Sequence, residues 1–166
     1  MENNQAFQKI KNSPAINNND LYLLFDNLPT ISESDILGKW KGGYFATQHP
    51  GNKILKEIKW FGKWYRNKLD AIPLIFYDST GKLYSSNIMR LGHASLWDVV
   101  FREKLSAAML YDDAPIFDHF RKVDENTLMG VMCGEITDDS PEIIKNGGDY
   151  FFYLKRIVEF PVEFIE

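Results

Sequence analysis

The sequence has a single cysteine, Cys133, so no intramolecular disulfide can staple it. A disulfide-built secreted scaffold is excluded, and a reducing cytoplasm is the simpler setting. Histidine is also scarce, with three residues. His49, His93 and His119 lie far apart and show no local metal-ligand spacing, so no metal site is expected. Asp112-Asp113 lacks the remaining positions of a calcium loop. No Lys/Arg block interrupts a chain of net charge -4, which argues against nucleic acid as a partner. No apolar run is long enough to span a bilayer, so stable membrane insertion is not expected. The polar first 14 residues lack the apolar centre of a signal peptide, and a cytoplasmic location follows. Neither a Walker A pattern nor a dinucleotide fingerprint occurs, and no cofactor is expected.

Aromatic residues are abundant: Phe 12, Tyr 8 and Trp 4 in 166 residues. They bring large apolar area at low flexibility, and suit a sheet core or the wall of a ligand cavity. The length fits one domain with a real hydrophobic core. Residues 1–19 are rich in Asn, Lys and Ser and read as a mobile tail, which leaves residues 20–166 as the domain.

Leu21, Leu24, Phe25 and Leu28 share one helical face, with Asn19 or Asp20 as cap and Pro29 as stop. In Gly38-Lys39-Trp40-Lys41-Gly42-Gly43-Tyr44, the odd lysines fall on one face of a strand and Gly38, Trp40, Gly42 and Tyr44 on the other. Residues 52–64 read as an amphipathic helix, in which Trp60 and Trp64, four apart, share a face. Beyond Leu69 the period changes to two. Strands are predicted over 72–77, 82–86, 95–102, 105–111, 116–123, 127–133 and 150–157, joined mostly by short polar turns such as Asp78-Ser79-Thr80-Gly81. Residues 134–148 read as a long loop with one helical turn near Pro141. About eight strands with such connections argue for a mainly β fold, an antiparallel meander closing into a barrel or barrel-like sheet, with short N-terminal helices.

Gly38-Lys39-Trp40-Lys41-Gly42 resembles the signature of the bacterial GXWXG family. The stretches 107–124, 127–132 and 150–154 resemble the uncharacterised domain DUF4334 that usually follows it. On this basis residues 20–87 are the GXWXG-like part and residues 95–158 the DUF4334-like part. The resemblance implies a lipocalin-like or pleckstrin-homology-like barrel and an association with lipid binding.

Candidate ligand-binding residues are Trp40, Tyr44, Trp60, Trp97, Tyr111, Asp118, His119 and Arg121. The tryptophans would line an apolar pocket at a barrel mouth covered by the segment 52–64. Arg121, Tyr111 or His119 would orient a polar head. In an extended strand His119 and Arg121 share one face and Asp118 takes the other. A structural role competes at each position: core packing for the tryptophans, a register-fixing ion pair for Asp118 and Arg121. Cys133 and His119 form a Cys–His pair only if the hairpin register brings them together, and no catalytic residue is assigned.

The expected function is non-catalytic binding of a lipid or other apolar small molecule. One alternative is a structural or protein-interaction module with a filled core, such as a homodimer. The other is an enzyme on a hydrophobic substrate using Asp118 or His119.

Overall fold

The computed structural model describes residues 2–166. In chain order the elements are α1 (Glu2–Lys11), α2 (Asn18–Asn27), β1 (Gly38–Tyr44), α3 (Pro50–Glu57), β2 (Trp60–Asn67), β3 (Asp70–Tyr77) and β4 (Leu83–Ser85). They continue with β5 (Ala94–Phe101), β6 (Lys104–Tyr111), β7 (Ile116–Asp124), β8 (Thr127–Gly134), α4 (Glu142–Lys145), β9 (Tyr150–Ile157) and β10 (Phe164–Ile165).

These strands make a mainly β, mixed sheet in the order β10-β4-β3-β2-β1-β9-β8-β7-β6-β5. β5 then returns to β3, through the pair Ala71 and Ala94 and a hydrogen bond from the Leu96 N–H to the Lys68 carbonyl at 2.8 Å. The hydrogen-bond pattern is therefore ring-like. β4 branches from β3, and β10 pairs with it in parallel.

Strand alternation sorts the side chains into an inner and an outer set. Trp40, Tyr65, Leu74, Leu96, Met109, Phe120, Leu128, Phe152 and Leu154 fill the inside, with Leu55 of α3 and Ile143 and Ile144 of α4 closing it. On the outside, α1 and α2 cover β7, β8 and β9 through Phe7, Leu21, Leu24 and Phe25 against Val123, Met129, Val131 and Phe151. A third cluster, Phe61, Ile72, Ile75 and Leu83, is covered by Phe160 and Phe164 of the C-terminal segment.

Three expectations need correction. Residues 2–11 form helix α1 rather than a loose tail. Its polar composition conceals one anchor, Phe7, whose buried ring meets Phe45 and Tyr153 edge-on at 5.9 and 5.6 Å. The helix expected through Trp64 ends at Glu57; Lys59 turns left-handed at φ 55°, and Trp60 starts a strand. Register shifts within that strand put Trp60 and Trp64 on opposite sides of the sheet, Trp60 toward the inner cluster and Trp64 onto Phe160 and Phe164. Beyond Val158 the chain adds the short parallel strand β10.

Candidate functional site

An ion pair lies inside the ring. Lys63 from β2 places its Nζ 2.8 Å from Asp118 Oδ2 of β7, and both side chains are shut off from solvent. Lys63 reaches the inside because β2 and β3 are both irregular there. β2 carries an extra residue between Trp60 and Gly62, and the register shifts again opposite Pro73. Such a bulge inverts the alternation, so Trp60 and Lys63, three apart, both face inward. Gly62 permits it, because a Cβ there would stand 2.0 Å from the Trp40 carbonyl oxygen. Pro73 has no N–H for the ladder, and its carbonyl accepts from Lys63 Nζ at 3.0 Å.

Tyr111 of β6 completes the polar cluster. Its hydroxyl accepts from Lys63 at 3.3 Å and donates to Asp118 Oδ2 at 3.3 Å. The ammonium also lies over the Phe152 and Tyr111 rings, at 5.2 and 5.6 Å. Burial pushes the Lys63 pKa down and the Asp118 pKa up, and each charge opposes the shift of the other. Burial, then the Asp118 charge, holds the Tyr65 and Tyr111 hydroxyls well above the usual phenol range. Two buried polar atoms in this cluster have no hydrogen-bond partner: Asp118 Oδ1 and Tyr65 Oη. Buried polar groups are normally hydrogen-bonded, and these two are the acceptor and the hydroxyl that the cluster's own contacts do not use.

Around the cluster the packing is tight. The residual space is about 10 Å³, bounded by Lys63, Trp60, Leu74, Met132 and Phe152 and capped by Leu55 and Met89. That is close to the space one water needs. The glycines of β1 belong to this packing, since a Cβ on Gly42 would enter the Trp60 ring at 2.1 Å. Trp40 is wholly buried, its indole N–H donates to the Ile36 carbonyl at 2.7 Å, and the Arg156 guanidinium lies over its ring at 4.2 Å. Outside, a cleft of about 280 Å³ separates Met89, Arg90 and Leu91 from Pro141 and Glu142 beside α4. A surface hollow of about 660 Å³ lies between α1 and α2, away from the ionic cluster.

Of the residues singled out in the sequence, Trp40, Trp60, Tyr111 and Asp118 meet on the inside. His119 and Arg121 face outward beneath α2. His119 is stacked between Phe101 at 3.8 Å and Phe117 at 5.4 Å, and Arg121 lies against the Phe25 ring at 4.6 Å while donating to the Phe101 and Phe120 carbonyls. Burial and then the Arg121 charge lower the His119 pKa to about 4. Tyr44 and Trp97 are exposed, and Trp97 carries the Lys68 ammonium over its ring at 4.4 Å. Cys133 pairs with Phe117 and His119 with Val131, so the register offsets the thiol from the imidazole along the hairpin. Burial pushes that thiol up to about 12. Lys63 and Tyr65 went unrecognised in the sequence, because Trp-Phe-Gly-Lys-Trp-Tyr carries no plain period of two; the glycine between bulky residues is the one signal of a bulge.

Comparison with known proteins matches the GXWXG protein family over residues 23–81 and the domain of unknown function DUF4334 over residues 92–156. The crystal structure of a protein from Thermomonospora curvata superposes with a TM-score of 0.79 at 30% identity, covering 95% of this chain and 99% of that one. The chain belongs to the GXWXG/DUF4334 family. No curated protein matches it. Within this GXWXG/DUF4334 chain the signature glycine Gly42 and tryptophan Trp40 lie beside Trp60 and the Gly62 bulge, so the motif builds the wall next to Lys63. The DUF4334 part supplies Tyr111 and Asp118, so the ion pair joins the two halves. Among the described residues, no helix is long and apolar enough to cross a membrane.

Proposed function

We propose that the ring interior reversibly binds a compact amphiphilic small molecule, without covalent chemistry. One observation carries this: a buried Lys63–Asp118 pair sits among aromatic rings with Asp118 Oδ1 and Tyr65 Oη left without partners. A polar head at these atoms offsets their desolvation, and apolar contact with Trp60, Phe152 and Met132 supplies the transfer free energy. A space of about 10 Å³ excludes an acyl chain in the closed arrangement, so entry requires the cover to move. The cover is made of short pieces whose polar ties include the His49 ring with the Gly148 carbonyl at 3.1 Å, the Tyr150 hydroxyl to Asn52 at 2.8 Å, and the Asn52 amide to the Phe45 and Thr47 carbonyls at 2.7 and 3.2 Å. The cleft between Met89 and Pro141 marks the seam.

The test is native mass spectrometry of the purified protein, followed by denaturing extraction. A retained small molecule released on unfolding is expected. A bare protein mass that stays unchanged with a panel of alcohols, fatty acids and phospholipids counts against the proposal. The tight interior packing favours a second reading, a filled structural or protein-interaction module. Its contact face would be Val100 and Leu105, paired across β5 and β6 and both well exposed. Concentration-dependent self-association of the ligand-free protein, abolished by Val100→Glu, is the outcome that supports it.

A further inference from the structure

The geometry points to the class of polar head the interior accepts: a neutral hydroxyl, as in an alcohol or phenol, rather than a carboxylate, phosphate or amine. This rests on the interior being the binding site. The three N–H donors of the Lys63 ammonium are already spent, on Asp118 Oδ2, the Pro73 carbonyl and the Tyr111 hydroxyl. The Tyr111 O–H is spent on Asp118 Oδ2. The charges of Lys63 and Asp118 cancel at 2.8 Å. An incoming anion therefore finds no unspent cation, and it must break that pair or remain an uncompensated buried charge. An ammonium adds a net positive charge to a balanced site at the same cost. What remains is one free acceptor, Asp118 Oδ1, and one free phenol, Tyr65 Oη. A neutral hydroxyl suits either one, because it can donate to a carboxylate oxygen or accept from a phenol without adding charge. A ketone or ether satisfies only the phenol.

The experiment uses three probes on one skeleton: cyclohexylmethanol, cyclohexanecarboxylate and cyclohexylmethylammonium. Each is titrated at neutral pH into the full chain and into Tyr65→Phe, by protein-observed NMR. The alcohol is expected to bind roughly 10-fold tighter than either ion, since each polar mismatch in a dry site costs at least one such factor. Tyr65→Phe is expected to weaken the alcohol by roughly 3- to 10-fold and to leave the ions unaffected. A matching amide spectrum shows that the variant is folded. Equal or tighter binding of the carboxylate or the amine overturns the head-group assignment while leaving interior binding in place. Alcohol binding indifferent to Tyr65→Phe overturns the assignment of the hydroxyl to Asp118 and Tyr65. No binding of any probe at millimolar concentration overturns the binding proposal itself.

Discussion

Replacing Lys63 by methionine leaves Asp118 alone in the interior. The substitution keeps the length of the apolar stem, so cavity effects are small, although the ammonium's contact with the Phe152 ring goes with the charge. What changes is charge: the ammonium at 2.8 Å disappears, and a fully buried carboxylate remains with only the Tyr111 hydroxyl at 3.3 Å. Breaking a buried pair from one side typically costs about 3–5 kcal/mol. For a chain of this size each kcal/mol moves the melting temperature by about 2–4 °C, so a fall of roughly 6–20 °C is expected at pH 7. The loss should shrink in acid. Asp118 in the variant has a folded-state pKa raised above its unfolded value, so the folded state holds the extra proton, and stability falls as pH rises between the two values. Lys63→Met/Asp118→Leu removes both charges and is expected to recover most of the loss, because a well-packed apolar pair equals or exceeds a buried ion pair. Urea unfolding of the three proteins at pH 5 and pH 7 gives the comparison. A single-variant loss under about 1 kcal/mol, or a double variant no better than Lys63→Met, refutes a desolvated interior ion pair.

His119 has its folded pKa lowered to about 4, so the unfolded state binds the extra proton and stability drops as pH falls from the ordinary histidine value toward that one. A loss of about 2–3 kcal/mol is expected across that window, and His119→Phe, which can keep the stack with Phe101 and Phe117, should flatten it in pH-dependent denaturation. Gly62→Ala places a methyl 2.0 Å from the Trp40 carbonyl and is expected to cost at least about 3 kcal/mol or prevent soluble expression, whereas Gly81→Ala meets nothing within 4 Å and pays only for its left-handed φ of 85°. Trp97→Ala removes a part-covered ring and its contact with the Lys68 ammonium, and is expected to cost about 1 kcal/mol of thermal stability while leaving ligand binding unchanged.

The fold was legible wherever alternation was unbroken. Ile116 to Val123 shows the period of two, and the structure places Asp118 inside and His119 and Arg121 outside as that period requires. The Asp78–Gly81 turn and the loop around Pro141 were equally plain. Local pattern failed where a tertiary contact decides the outcome. Phe7 alone docks an otherwise polar helix, and no window of sequence reveals the Phe45 and Tyr153 rings that receive it. In β2 the bulge at Gly62 breaks the strand period, so apolar spacing mimicked a helix and hid Lys63. Half the candidate site was thus readable, Asp118 and Tyr111 from regular strands, while its cationic partner depended on how two irregular strands meet.

Crystallising the protein with cyclohexylmethanol bears most directly on the interior as a binding site. Density joined to Asp118 Oδ1 and Tyr65 Oη, with α3 or the segment around Met89 displaced outward, is the result expected. A closed cover over a lone water bridging those two atoms, with the alcohol absent or bound elsewhere on the surface, would contradict it.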